Sequence, residues 1–513
     1  MSKSPSSNLK FAGLGYLRAM VTLATLAGFI ACGGGGASFR QIPGGGGGGG
    51  GGASCAAPAP ITSSAGNVTA GLGKTVSSSY MDLHVGSADL ISTVTVPYGS
   101  LRLWDTSTGW AQINFASGQY DWTNLDNFVN APSSGDLLYN LARTPTWASS
   151  NPNDSTCAYD TSPQGGPGQC DPPADLNSDG SGADQSWIDW VTAVAQRNNV
   201  QYGSKIKYFE IWNEWNIPLF WTGTPAQLVR MEQDARCIVE GPPAGKSCNP
   251  NSTFPNGTGL NTAAKIVTPS PVGAHTVLNE VSLRLSNYFG TVVGGNSGGT
   301  FADAIGFHGY VSTKSSSDPC PNPEDVTTVV TDLNGTVQSF PLEAGGKPWI
   351  NTEDSWGKAP DEGFEDPDRQ AAFLARTFLL QASLGVDRVY WYRWDATQTF
   401  GGALWTASNG PTEAASAWSE VSKWILGATL SSPCTANGSV WSCGFTRASG
   451  YQALTVWDAG QDCLNGTCGT SSYTVPAGYT RYLDLTDTST NTSAGSTIQI
   501  GAKPILLESA ALP

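Results

Sequence analysis

Between residues 80 and 427 short apolar runs alternate with amphipathic helical stretches, a pattern that confines the chain to a parallel α/β sheet. The strand-like runs are 80–85, 100–104, 136–142, 206–212, 264–268, 304–308, 348–352 and 388–392, eight in all. Among the helices between them, 186–197 sets Trp187, Trp190, Val191 and Val194 on one face, while 369–384 and 413–426 stop at Gly385 and Gly427. Eight βα units closing on themselves make a (β/α)8 TIM barrel, an α/β fold whose reactive groups sit at the C-terminal ends of its strands. The barrel is assigned to residues 61–427. Beyond it the pattern changes: 440–447, 453–458, 473–475, 481–485, 497–500 and 504–508 read as short strands between Gly, Asn and Pro turns. This predicts a C-terminal all-β sandwich over 428–513, packed on the barrel and joined by a strand from residues 61–76.

Charge narrows the class of ligand. The chain carries 41 acidic against 26 basic residues, a net charge of −15, and has no Lys/Arg patch. Nucleic acid and anionic membrane surfaces are therefore excluded as partners, since both demand clustered cations. With 62 Gly, 18 Trp and only 13% charged residues, the composition points to a neutral carbohydrate polymer or oligosaccharide.

The N-terminus reads as an export signal, with Lys3, Lys10 and Arg18 ahead of an apolar core at 19–31 that is too short for a stable anchor. Its end, Gly28-Phe-Ile-Ala-Cys32, resembles a bacterial lipobox, with Phe29 departing from the usual Leu. Residues 1–31 are thus expected to leave as a lipoprotein-type signal peptide and Cys32 to carry lipid, ordinary cleavage nearby being the alternative. The expected location is the cell envelope or the extracellular space. Residues 32–60, with nine consecutive glycines at 44–52, cannot bury apolar surface and predict a flexible tether reaching on the order of 30 Å. Lipidation of Cys32 leaves an even ten cysteines. Close spacing suggests the disulfides 157–170, 237–248, 434–443 and 463–468, with Cys55 and Cys320 left over.

Two stretches carry the chemistry. Lys207-Tyr-Phe-Glu-Ile-Trp-Asn-Glu214-Trp-Asn216 is an apolar strand breaking off in the polar pair Asn213-Glu214, and strand periodicity sets Glu210, Trp212 and Glu214 on one face. Lys347-Pro-Trp-Ile-Asn-Thr-Glu353-Asp-Ser-Trp356 is a second apolar strand ending in a carboxylate beside a Trp. Two carboxylates at the ends of strands four and seven are what glycoside hydrolysis requires, one protonated to release the leaving sugar and one ionised. Asp354 and Glu343 compete with Glu353 for the second position. Glu210, lower on the inward face, reads as a buried, paired structural carboxylate.

With the strands placed, Tyr208-Phe-Glu-Ile-Trp-Asn-Glu214 resembles the acid/base signature of clan A glycoside hydrolases, most closely family 39, which includes β-xylosidases and α-L-iduronidases. Leu101-Arg-Leu-Trp-Asp105, Arg143-Thr-Pro-Thr-Trp147, His308-Gly-Tyr310 and Thr352-Glu353 match in family order across about residues 78–427. The resemblance implies that Glu214 is the general acid/base, Glu353 the nucleophile, and Arg102 the arginine that holds the nucleophile ionised. Asn213 is expected to donate to a sugar hydroxyl, and His308 and Tyr310 to bond Glu353 and the sugar. Trp104, Trp147, Trp215, Trp221, Trp356, Trp391 and Trp394 fall at or just beyond strand ends, where aromatic faces stack on sugars. Trp391 and Trp394 point opposite ways, so at most one floors the cleft. Trp215 stands where Pro commonly follows the Asn-Glu pair, and cysteine-bearing inserts at 151–185 and 237–260 shape the cleft differently, which leaves the β-xylosidase label open.

No cofactor or metal is expected. Asp175-Leu-Asn177-Ser-Asp179-Gly180 imitates the start of a calcium loop, but its twelfth position is Ser186 instead of a bidentate Glu, so a turn-rich insert is the expectation. The reading is a retaining glycosidase. The rivals are an endo-glucanase or endo-xylanase of a neighbouring clan A family and a non-catalytic glycan-binding lipoprotein on the same scaffold.

Overall fold

A computed structural model describes residues 70–132, 135–157, 166–248, 259–273, 280–311, 322–356, 366–395, 403–464, 466–486, 490–492 and 497–511. Cys32, the tether, Cys55 and Cys320 lie outside these residues, as does the side chain of Cys157.

Eight parallel strands form the barrel: β1 (Met81–Leu83), β2 (Ser100–Leu103), β3 (Asp136–Asn140), β4 (Ile206–Glu210), β5 (Lys265–Val267), β6 (Ile305–His308), β7 (Trp349–Asp354) and β8 (Arg388–Trp391). Their order is β5-β4-β3-β2-β1-β8-β7-β6. The ring closes between β5 and β6 through a parallel bridge at Val267 and Ala304, where the Thr268 amide donates to the Ala304 carbonyl at 3.1 Å. Every strand falls on a run read from the sequence. Helices α1 (Thr123–Asn130), α2 (Gln185–Val200), α3 (Pro225–Val239), α4 (Glu280–Gly290), α5 (Val326–Ser339), α6 (Pro367–Leu384) and α7 (Glu413–Ile425) lie around it, and a 3-10 turn, Ala88–Thr93, serves the first unit.

Local chemistry fixes the helix ends. α3 opens on a capping box between Thr224 and Gln227 with Pro225 at its first position. α6 opens on Asp366, whose carboxylate accepts from the Arg369 amide, and stops at Gly385, where φ is 83°. Inside the barrel the layers run from charged to apolar to charged. At the bottom Arg388 pairs with Asp82 at 2.7 Å and Asp136 at 3.2 Å. Leu138, Val267, Ala304, Ile350 and Tyr390 fill the middle. Above them stand Arg102 and Glu210, both fully buried.

The C-terminal part is all β. A six-stranded antiparallel sheet runs β9 (Thr429–Asn437), β10 (Val440–Thr446), β11 (Gln452–Asp458), β18 (Ile505–Glu508), β15 (Arg481–Asp484), β16 (Thr490–Thr492). Two shorter pairs flank it, β12 (Cys463–Leu464) with β13 (Thr467–Cys468), and β14 (Thr470–Thr474) with β17 (Thr497–Gly501). Val456, Val475, Ile498, Ile500, Ile505 and Leu507 form the apolar layer between the large sheet and the β14/β17 pair. The sequence reading missed β9, whose run Thr-Leu-Ser-Ser-Pro-Cys-Thr-Ala-Asn lacks apolar alternation. It is an edge strand, where a proline removes no ladder bond that the sheet needs. The strand sought in 61–76 does not form among the described residues: Thr75 makes only an isolated antiparallel bridge to Thr429, with Gly73 and Val76 donating to Leu430 and Ala428, and 61–69 lie outside the described residues.

Cys237–Cys248, Cys434–Cys443 and Cys463–Cys468 are disulfides as expected, and Cys170 is disulfide-bonded as well. In the insert before α2, Asp175 accepts from the Gln185 amide at 2.6 Å and Asp179 from the Ser181 amide at 2.9 Å, so the loop folds on itself and caps the helix.

Candidate active site

The site is built on four strand ends. Arg102 rises from β2 and divides its guanidinium three ways: Nε to Glu210 at 2.7 Å, Nη1 to Glu353 at 2.8 Å and Nη2 to Asn213 Oδ1 at 2.7 Å. Glu210 is held by two further donors, Ser270 at 2.5 Å and Asn140 at 2.8 Å. Burial opposes its charge, but Arg102 and these bonds outweigh burial and hold its carboxyl below the usual range. Glu210 is therefore the fixed anion that orients Arg102.

β4 ends at Glu210, and the backbone then leaves the strand; Asn213 makes a parallel bridge to Ser270 and Glu214 adopts φ 41°. A non-glycine residue in this left-handed region is strained, and such strain persists where surrounding structure imposes it. The turn breaks the period-two pattern expected through Trp212. Trp212 points away from Glu210's face, packs on Trp221 with centroids 4.7 Å apart, and donates to the Phe220 carbonyl. The same turn brings Glu214 to His308, whose Nδ1 lies 2.8 Å from Glu214 Oε1.

On the facing side, Tyr310 donates to Glu353 Oε1 at 2.8 Å, so Glu353 carries one donor on each oxygen. His308 was expected to share Glu353; it bonds Glu214 instead, because β6 ends at His308 and only Tyr310, beyond Gly309, reaches across. One oxygen each of Glu214 and Glu353 and a ring nitrogen of His308 lie within 4.8 Å of one another. That is the count of a metal site, but the Arg102 guanidinium against Glu353 already supplies the positive charge a cation would bring. A second acidic group, Asp154, Cys170 and Asp171, has no thiolate to offer because Cys170 is in a disulfide.

The two glutamates differ in environment. Burial pushes Glu214 up to about 8, with Arg102 opposing and Asp105 and Glu210 adding to the rise. Burial and the Glu214 charge also raise Glu353, against His308, Arg102 and Tyr310. The direct ion pair favours the anion at Glu353, while among the described residues Glu214 has no cation within hydrogen-bond range, so the proton of the pair is assigned to Glu214. His308 is pushed by burial down to about 4 and is neutral near pH 7. Asn213 commits its oxygen to Arg102 and leaves its buried Nδ2 without a partner among the described residues, a donor aimed at an absent acceptor.

The rivals for the second carboxylate are placed elsewhere. Asp354 turns outward to Asn351 at 2.9 Å and to Gln381 on α6 at 2.8 Å. Glu343 lies in the loop before β7, at the opposite end of the strand from Glu353.

Most of the expected aromatic ring is core. Trp356 packs on Phe373 and donates to Thr377 of α6. Trp391 packs outward on Phe378, Trp394 is fully buried and donates to Thr93, and Trp215 packs on Tyr288 of α4. These four have no face for a sugar, nor has Trp221, 3% exposed against Trp212. Trp104 lies under the Arg143 guanidinium, 4.3 Å from it, and Trp147 at the rim is 38% exposed. The residue that β8 does turn inward is Tyr392, in step with Tyr390; it donates to Asp105 at 2.9 Å and packs on His84. Parity along β8 was the available signal, obscured by the two tryptophans.

No model of a protein family matches the sequence, and no curated protein does either. Solved structures do match. A family 39 glycoside hydrolase from Bacteroides cellulosilyticus WH2 aligns with TM-score 0.55 at 14% identity, over 85% of this chain and 82% of that one. The fold is that of family 39 glycoside hydrolases. A monomeric β-xylosidase from Caulobacter crescentus CB15 aligns with TM-score 0.51 at 14% identity (85% and 97% of the two chains), and a glucosidase from Croceicoccus marinus with TM-score 0.52 at 14% identity (86% and 97%).

Proposed function

We propose that this chain is a retaining glycoside hydrolase, with Glu214 as general acid/base and Glu353 as nucleophile. The observation that carries the reading is the approach of the two carboxyl groups within 4.8 Å, oxygen to oxygen, with Glu353 paired to Arg102 while burial pushes Glu214 up. Retaining enzymes hold the pair about 5–5.5 Å apart, whereas inversion needs roughly 6.5–9.5 Å to admit a water between acid and base. In the first step a Glu353 oxygen attacks the anomeric carbon as the glycosidic C–O bond breaks, and Glu214 gives its proton to the departing oxygen. In the second, Glu214 takes a proton from water, the water oxygen bonds the anomeric carbon, and Glu353 leaves as carboxylate. Asn213 Nδ2 donates to the sugar beside the reacting centre. The likeness in fold to a β-xylosidase and a glucosidase supports a neutral pyranoside as substrate.

Export and lipidation at Cys32 complete the reading, with residues 32–60 as the tether that holds the barrel off the membrane. Labelled fatty acid incorporated into the wild type but not into Cys32→Ala tests that part.

The decisive assay is release of reducing sugar from xylan, β-glucans, arabinan and bacterial exopolysaccharide by the wild type, Glu214→Ala and Glu353→Gln. Release that both substitutions abolish supports the reading, and azide added to Glu214→Ala restores turnover of aryl glycosides by replacing water in the second step. Tight glycan binding without turnover by the wild type favours a binding protein instead.

A further inference from the structure

At the mouth of the cleft stands a second charged assembly that the two-glutamate mechanism does not use. Asp105, two residues beyond β2, accepts from Arg143 Nη2 at 2.7 Å and from Tyr392 Oη at 2.9 Å. Arg143 in turn lies over Trp104. Asp105 and Arg143 both hold left-handed backbone, with φ of 59° and 75°, so two separate loops are strained to bring them together. The internal ion pairs of this fold, such as Arg230–Asp234 and Arg102–Glu210, are closed to solvent on both sides, whereas the Asp105 side chain is 16% exposed and that of Arg143 10%. The pair is partly open to solvent. Its charge also reaches the reacting centre, since Asp105 adds to the rise of Glu214, and Tyr392 lies in the fields of both Asp105 and Glu353.

We propose that Asp105 is a substrate-binding residue whose carboxylate, fixed between Arg143 and Tyr392, accepts hydrogen bonds from hydroxyl groups of the sugar in the site. The assignment rests on the hydrolase reading and narrows it. An ionised carboxylate only accepts, so it selects hydroxyl donors. Arg143, neutralised by Asp105, offers no unpaired charge to a uronic acid. The substrate class is a neutral sugar.

The test uses 4-nitrophenyl β-xyloside, β-glucoside, β-galactoside and α-L-arabinofuranoside. On whichever parent the wild type cleaves, kcat/KM is compared with that on its monodeoxy analogues, for the wild type and Asp105→Asn. Loss of one hydroxyl other than the 2-hydroxyl costs the wild type about 10- to 100-fold, the usual worth of a hydrogen bond to a charged group. Asp105→Asn loses a similar factor on the parent and is indifferent to that same deoxygenation. Asp105→Asn within about twofold of wild type on the parent, or as sensitive as wild type at every deoxy position, overturns the assignment while leaving the hydrolase reading intact. A wild type that cleaves no glycoside overturns both. Where circular dichroism shows Asp105→Asn unfolded, Asp105→Glu, which keeps the charge beside Arg143 but moves the carboxylate oxygens, carries the same comparison.

Discussion

Glu214 combines burial, a left-handed backbone and a proton held to about pH 8. All three oppose stability and serve proton transfer, the trade expected at a catalytic position. Its folded pKa lies above the ordinary value of about 4.3, so the favourable protonated state is fully present below that value and is lost as pH rises through 8. Glu214→Gln, neutral at every pH, is therefore predicted to melt higher than the wild type at pH 8.5, with the difference shrinking as pH falls and vanishing below about pH 4; calorimetry across that range checks it. In the proposed mechanism the same titration sets the rate. kcat/KM falls as pH rises through about 8 because the general acid is lost, and falls at low pH as Glu353 takes a proton. A profile still rising above pH 9 contradicts the assignment. Both glutamates were legible in the sequence because each ends an apolar strand in a carboxylate. Ser270 and Asn140, which anchor Glu210, were not, since a polar residue near a strand end carries no sign of which carboxylate it meets.

At the scale of the element, strand ends decide what faces the cleft. β6 delivers His308 and Tyr310 to different glutamates by passing Gly309 close to β7, where an added Cβ would stand 2.3 Å from Asn351 Nδ2 and 3.0 Å from Asp354 Oδ2. Gly309→Ala must displace the Asn351 amide from its bonds to Asp354 and Gln381 and is predicted to cost about 1–3 kcal/mol by urea unfolding, and to lower kcat more than the stability loss alone accounts for. The eight strands were readable because each is a short apolar run between helix signals. Their last residues were not: β4 stops at Glu210 and Trp212 leaves the face that period-two counting assigned it, and on β8 Tyr392 takes the place sought for Trp391 or Trp394. Tryptophan reads alike from sequence whether it stacks on a sugar or fills the gap between strand and helix. In this chain most of them fill the gap, and the packing of α4 and α6 on the barrel decides it.

Among the described residues, polar contacts as well as a shared apolar core join the barrel and the β-sheet part. Glu324, fully buried before α5, takes Arg376 of α6 at 2.8 Å and Trp457 Nε1 of β11 at 2.7 Å. Cys434 of β9 donates its amide to Ser383, and Gly466 to Asp366. Arg376→Leu leaves Glu324 a buried charge without its cation and is predicted to destabilise by about 3–5 kcal/mol in urea unfolding, far more than loss of a surface pair. That the second part is all β was legible from its turn-separated runs; how it docks was not, because the docking residues are single polar side chains far apart in sequence. The central claim concerns the glutamate pair, and the most direct measurement is the anomeric configuration of the first sugar released, followed by proton NMR before mutarotation. The account predicts the anomer of the substrate, retained through two displacements at Glu353. First appearance of the opposite anomer would mean a single displacement by water and would contradict it.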